Sequence, residues 1–220
     1  MRKWQWIQSS EKRWIELYTS SNTLAEIHQP LLMIGGMHGD EPEGVYLAES
    51  LLKWLTTVDK KSLHDFVIIP CINPDGFANH QRVNANGVDL NRNFPSRGWS
   101  PQHKENRYYP GPAAGSEIET QTVVNLINDT QPRLLLHFHS WKPCVVLTST
   151  GPVTEAHTLA QSSGFQLVED IGYPTPGSLG EYAGVDLNIP VICTEDTEHR
   201  DKNLAWQHFG EGLQKILRKS

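Results

Sequence analysis

Apolar residues fall along this chain in two alternating textures, short unbroken runs and longer stretches with helical spacing. The unbroken runs lie at residues 30–36 (PLLMIGG), 66–72 (FVIIPCI), 133–141 (RLLLHFHSW), 144–149 (CVVLTS) and 189–195 (IPVICTE). Runs of this length with little polar alternation predict strands buried on both faces. Between the first two runs, Val45, Ala48, Leu51, Leu52 and Leu55 recur at helical intervals, with Pro42 near the first turn, where proline is tolerated. Ser116-Glu117-Ile118-Glu119 reads as a capping box opening a helix to about residue 130. A helix is also expected near 153–164, and a second capping box at Ser178-Leu179-Gly180-Glu181. Leu204, Phe209, Leu213, Ile216 and Leu217 share or adjoin one face of a C-terminal helix. Residues 1–28 contain two tryptophan-bearing arms around a polar turn, the pattern of a hairpin. Strands and helices in alternation define an α/β fold. With no internal repeat and no linker-like change of composition, residues 1–220 read as one domain.

One segment breaks the alternation. Residues 73–116 are rich in Asn, Gly, Pro and Arg, far beyond the 12 to 15 or so residues usual for a functionless loop. Arg82, Asn91, Arg92 and Asn93 make poor core residues, whereas Val88, Leu90 and Phe94 among them offer apolar anchors. A tethered loop bearing guanidinium forks suits the binding of a carboxylate.

Composition narrows the function classes. The chain has 220 residues, 38% hydrophobic and 20% charged, as in a folded soluble protein rather than a disordered one. A formal charge of −6 argues against non-specific nucleic-acid binding and against a basic membrane-surface role. No apolar run approaches the 18 or so residues of a membrane span. The N-terminal sequence has no apolar signal-peptide core, and Cys71, Cys144 and Cys193 form no CxxC pair. These features lead to the expectation of a cytoplasmic protein with reduced thiols and no obligate protein partner.

Candidate chemistry gathers at the C-terminal ends of the predicted strands, the binding edge of an open α/β sheet. His38 and Glu41 follow the first run, with the permissive Gly39 between them. An imidazole and a carboxylate are ordinary zinc ligands, and a catalytic zinc takes about three from protein. His137 and His139, two apart on a strand, share one face, and either can supply the third ligand. Glu195 ends the last run, with Asp196 and Glu198 close behind, and a carboxylate there is placed to act as a general base.

Together HGDE, NPDGF, GVDLNRNFP, YPGPAAGSEIET, the HS of residues 139–140 and IPVICTE resemble, in order and spacing, the zinc carboxypeptidase family, from about residue 31 to 198. The phrases RVNANGVDLNRNFP and YPTPGSLGEYAG are most similar to its branch of small cytoplasmic amidases. That branch splits the γ-D-glutamyl–meso-diaminopimelate bond of murein tripeptide in peptidoglycan recycling. The resemblance implies a mixed, twisted sheet of about eight strands flanked by helices, and one zinc ion per chain. It implies His38, Glu41 and His139 as the metal ligands, and Glu195 as general base. It also implies that Arg82 polarises the scissile carbonyl, and that Asn91 and Arg92 grip the terminal carboxylate of a small peptide. Within the substrate site, Glu181 is the candidate for a diaminopimelate ammonium, and Tyr182 or Tyr173 for the tyrosine of the pancreatic-type enzymes. Asp196 departs from the family, which usually has a hydrophobic residue after the catalytic glutamate. Rival readings are a succinylglutamate desuccinylase or aspartoacylase-like amidohydrolase, a D,L- or L,D-carboxypeptidase on intact peptidoglycan, and a non-catalytic zinc-containing binder.

Overall fold

A computed structural model describes residues 1–198 and 201–219. Four of the five apolar runs form the parallel centre of an eight-stranded mixed sheet. Its strands are β1 (Arg2–Gln8), β2 (Trp14–Thr19), β3 (Leu31–Ile34), β4 (Phe66–Ile69), β5 (Leu134–Trp141), β6 (Cys144–Thr148), β7 (Leu167–Val168) and β8 (Val191–Thr197). They lie in the order β1-β2-β4-β3-β5-β8-β6-β7. β4, β3, β5 and β8 run parallel, whereas β2 and β6 flank them antiparallel. The expected N-terminal hairpin is β1 and β2, joined to the sheet where Tyr18 and Thr19 pair with Ile68 and Val67.

The helices are α1 (Pro42–Leu55), α2 (Pro74–Asn79), α3 (Ile118–Thr130), α4 (Thr154–Ser163) and α5 (Leu204–Leu217), with a π-helical turn over Gly180–Asp186. Strand parity divides the core between the two faces of the sheet. Leu134, Leu136 and Phe138 of β5 join α1, α4 and α5 on one face. Leu135 joins α3 and the π-helical turn on the other, the face that His137 and His139 share by parity. All five apolar residues expected to line α1 are buried.

Three elements differ from the sequence expectations. Residues 73–116 are not one loop, since Asn73 caps α2 by accepting from Gly76 N (2.9 Å). Asp75 then accepts from Ser9 Oγ (2.7 Å) and Glu11 N (3.0 Å), clamping the hairpin tip to α2. The predicted capping box at 116 does not form. Ser116 Oγ donates to the neighbouring Glu117 Oε1 and accepts from Asn93 Nδ2, and α3 begins at Ile118 without a side-chain cap. The two-residue β7 is too short to register as a hydrophobic run.

The chain runs from β3 through α1 to β4 on one side, then returns to β5 on the other side of β3. The crevice beyond the C-terminal ends of β3 and β5 is therefore a topological switch point, where open α/β sheets bind ligands. α1 packs against β5 so closely that a Cβ at Gly44 would lie 2.3 Å from the Phe138 carbonyl oxygen. No helix among the described residues is long and apolar enough to cross a membrane.

Gly44→Ala should therefore lower the unfolding free energy by about 1–3 kcal/mol through overpacking. Gly151→Ala, where an added Cβ meets nothing within 4 Å, serves as the control in urea titrations. A second stability test concerns Glu119 of α3, which is buried with Oε1 unpartnered among the described residues. Burial, helped by the charge of Glu117, pushes its carboxyl up to about 7 from the ordinary 4.5. Between those values the unfolded chain has lost the proton and the folded chain keeps it, so this group's contribution to stability falls as pH rises. Glu119→Gln should stabilise the protein at pH 8 by roughly 1–3 kcal/mol, with the gain vanishing near pH 4.5. A gain independent of pH in denaturant titrations would contradict this account.

Candidate active site

β3 delivers the chain into a turn that rests directly on the start of α2. A Cβ at Gly39 would lie 1.9 Å from the Gly76 carbonyl carbon, so only glycine permits this approach. His38 and Glu41 flank that glycine, and Glu41 immediately precedes α1. His139 projects from β5, in register with Glu195 on the adjacent β8.

Four lone-pair atoms converge in the buried centre of this group. His38 Nδ1 is 2.7 Å from Glu41 Oε1, and His139 Nδ1 is 2.6 Å from Glu41 Oε2. The two Nδ1 atoms are themselves 3.1 Å apart. The other ring nitrogens are committed elsewhere. His38 Nε2 faces Asp89 Oδ1 at 3.1 Å, and His139 Nε2 faces His137 Nδ1 at 2.9 Å. A carboxylate only accepts, so the bond to Asp89 assigns the His38 proton to Nε2 and turns Nδ1 toward Glu41. Two imidazole nitrogens and a carboxylate facing one another match the nitrogen and oxygen donor set of a zinc site. A cation among them would join donors that cannot all hydrogen-bond one another.

The electrostatics are those of a dry, charged pocket. Burial alone would raise the Glu41 carboxyl, yet His38 and His139 hold it well below the usual range. Burial, with His139 and His38 nearby, pushes His137 far down and keeps it neutral. Glu195 is the opposite case, pushed up to about 8 by burial and by the charge of Glu41. Its Oε1 accepts only from Cys193 Sγ (3.4 Å), and its buried Oε2 has no partner among the described residues.

A cleft of about 260 Å³ joins these groups to the arginine-bearing loop. It brings together His38, Glu41, His139, Glu195, Arg82, Asn91 and Arg92. Arg82 donates from Nε to Asp89 Oδ2 (2.9 Å) and from Nη1 to Glu41 Oε1 (3.2 Å). Asn91 accepts from Leu179 N at Oδ1 (2.9 Å), and Arg92 donates to the Asn91 carbonyl (2.7 Å). His137 stands behind His139 and outside this cleft. Asp196 faces away from Glu195 and lies 3.1 Å from His208 of α5, so the two adjacent acids do not compete for one position.

The structure does not bring Glu181 or Tyr182 to the cleft. Glu181 Oε2 accepts from Ser96 Oγ (2.6 Å) and Gly177 N (2.8 Å), while Tyr182 is buried against Phe94. Tyr173 does line the cleft, stacked edge-on to Trp141. Asp89, Arg107 and Tyr108 are site residues that sequence reasoning missed. For Asp89 the available signal was an acid enclosed by the anchors Val88 and Leu90 in an otherwise polar loop.

Comparison with known proteins agrees with this geometry. The zinc carboxypeptidase family model matches residues 1–195. Murein peptide amidase A of Escherichia coli K12 is 37% identical over 175 residues, covering 74% of this chain and 69% of that protein. Its counterpart in Vibrio campbellii is 28% identical over 175 residues, with 74% and 68% covered. The crystal structure of murein-tripeptide amidase from Escherichia coli O157 superposes with a TM-score of 0.82 at 28% identity, over 99% of this chain and 92% of that one. Bovine thrombin-activatable fibrinolysis inhibitor, at 20% identity, has the same fold, with a TM-score of 0.79 over 98% of this chain and 88% of that one. A paired histidine and glutamate after β3, a histidine on β5 and a match over most of the sequence lead to one conclusion: this chain belongs to the zinc carboxypeptidase family and is a peptide-bond hydrolase.

Proposed function

We propose that this enzyme is a zinc amidase that cleaves the γ-D-glutamyl–meso-diaminopimelate bond of murein tripeptide, in cytoplasmic peptidoglycan recycling. The observation that carries the reading is the cleft itself. Glu195, buried with its Oε2 unpartnered among the described residues, opens onto the same space as the His38–Glu41–His139 group and the Arg82, Asn91 and Arg92 loop. His38, Glu41 and His139 would hold one zinc ion. When bound, zinc acidifies a water molecule and draws charge from a carbonyl oxygen.

The protein's own residues do the rest. Glu195 takes a proton from water at its free Oε2 and returns it to the leaving amine. Burial strengthens it as a base once ionised, a state that a cation held by the His38–Glu41–His139 group beside it would favour. Arg82, fixed through Nε and Nη1, presents its guanidinium to the carbonyl oxygen as negative charge develops there. Asn91 and Arg92 hold the terminal carboxylate of the leaving residue. Arg92 is buried and its guanidinium pairs with no carboxylate within 4 Å among the described residues, which suits an anionic ligand.

A side cavity of about 120 Å³ shares Asn91, Tyr173 and Glu195 with the cleft and is also lined by Val146, Thr148 and Ser178. It is the natural place for the leaving side chain, because it opens between the general base and the carboxylate clamp. Glu169 and Asp170 line the same cavity and bring negative charge for the distal ammonium of diaminopimelate. Glu181, held by Ser96 and Gly177, does not line it.

Incubation with L-Ala-γ-D-Glu-meso-diaminopimelate should release diaminopimelate, read by mass spectrometry. A chelator should stop the release and zinc should restore it. Absence of release by the zinc-loaded enzyme would sink the substrate assignment, and release indifferent to chelation would sink the metal dependence. Arg82→Ala should lower kcat by about 100- to 1000-fold with a much smaller change in KM. Near-normal kcat in steady-state assays would remove Arg82 from its role.

A further inference from the structure

His139 carries a donor atom on each side of its ring, and a ligand group stands on both. On one side, Nδ1 faces His38 and Glu41. On the other, Nε2 lies 2.9 Å from His137 Nδ1, and Cys193 completes a second group whose donor atoms all lie within 4.8 Å of one another. Sheet register builds this second group. His137 pairs with Cys193 and His139 with Glu195 across β5 and β8, so all four side chains stand on one face. Hydrolysis as proposed uses His139 and Glu195 but gives no part to His137 or Cys193. Both line the side cavity of about 120 Å³, which offers a cation a way in and room for a further ligand.

The two groups share one imidazole and differ in softness. His38 and Glu41 add a nitrogen and a carboxylate oxygen, the donors of an ordinary zinc site. His137 and Cys193 add a nitrogen and a thiolate sulfur, which favour thiophilic cations such as Cu⁺ or Cd²⁺. We propose that His137, His139 and Cys193 form a second metal site, for a soft cation, whose occupation takes His139 away from the zinc group. Proton balance makes the two states exclusive. With a cation on the Glu41 side, His139 Nδ1 is the ligand and Nε2–H donates to His137 Nδ1. With a cation on the cavity side, that proton sits on Nδ1 instead and is donated to Glu41 Oε2, 2.6 Å away. His139 Nε2 and His137 Nδ1 then both turn lone pairs to the cation, and Cys193 releases its thiol proton to solvent as the sulfur binds. A neutral imidazole keeps one ring proton and one lone pair, so His139 serves one cation at a time. This inference goes beyond the amidase reading and shares with it only the zinc site.

The test adds Cd²⁺ to the zinc-loaded full chain and reads two signals. Thiolate-to-cadmium charge-transfer absorbance in the ultraviolet reports a bound thiolate, and elemental analysis after dialysis counts both metals. The band should appear as cadmium binds, with one zinc lost per cadmium gained. Cys193→Ser should abolish the band, and His137→Gln should raise the cadmium concentration that produces it by about 10- to 100-fold. Cys71→Ser and Cys144→Ser, which change the other two thiols of the chain, should leave it in place. Exchange of cadmium into the His38–Glu41–His139 group alone gives zinc loss without a band, and that result overturns the inference. So does a band that survives Cys193→Ser, or one that appears with the zinc retained. A chain that takes up no zinc but shows the Cys193-dependent band keeps the soft-cation site and overturns the zinc reading above.

Discussion

The site depends on one buried carboxylate that touches no part of the proposed substrate path. Asp89 is fully buried, and its Oδ1 accepts from both His38 Nε2 and Asn91 N. Its Oδ2 accepts from Arg82 Nε, and its backbone N donates to the Tyr109 carbonyl. One side chain thus orients a metal-ligand candidate, the arginine proposed to polarise the carbonyl and the start of the proposed carboxylate clamp. Burial would favour its neutral form, but His38, Arg82 and Arg92 keep its pKa far below the carboxylate range. The loop that carries the arginines is thereby tied to the β3 edge by charge-assisted bonds, which are the strong class. The apolar anchors Val88, Leu90 and Phe94 exclude water from that connection.

Strand parity supplies the second layer of organisation. His139 and Glu195 face the same side because they are register partners on adjacent parallel strands. Phe138 and Asp196, one residue earlier and later respectively, face the helices α1 and α5 instead. The backbone carbonyl of Phe138 abuts Gly44 of α1, so the helix that begins just after Glu41 is seated against the strand that carries His139. The metal-ligand group is consequently held between two elements in direct backbone contact, with no flexible segment between them.

Much of this was legible in the sequence for a definite reason. A parallel strand covered on both faces must be apolar throughout, so β3, β4, β5 and β8 appear as unbroken runs. Reactive residues at the ends of such runs stand out, which is why His38, Glu41 and Glu195 are candidates without coordinates, whereas only the family resemblance separates His139 from His137. What remained illegible depends on partners distant in the chain. α2 has no apolar periodicity and owes its position to the Asn73 cap and to the contacts of Asp75 with the hairpin. The capping pattern at residue 116 failed because Asn93, 23 residues earlier, engages the serine. Glu181 was drawn away from the cleft by Ser96, 85 residues earlier in the chain. Arg107 and Tyr108 gave no pattern, because their meaning lies in Arg82 and Arg92, brought with Arg107 to the Tyr108 ring.

The connection between β6 and β8 separates two kinds of change that evolution could make. Glu195 is held on the cleft face by the register of β8, and deletion of one residue earlier in that strand would put Asp196 in its place. Glu169, Asp170, Tyr173 and Ser178, which line the side cavity, come instead from the stretch before β8. Residues can be gained, lost or replaced there without altering the parity of the strand. A lineage built on this fold can therefore drift toward new leaving groups by rewriting that connection, while the hydrolytic apparatus is inherited unchanged.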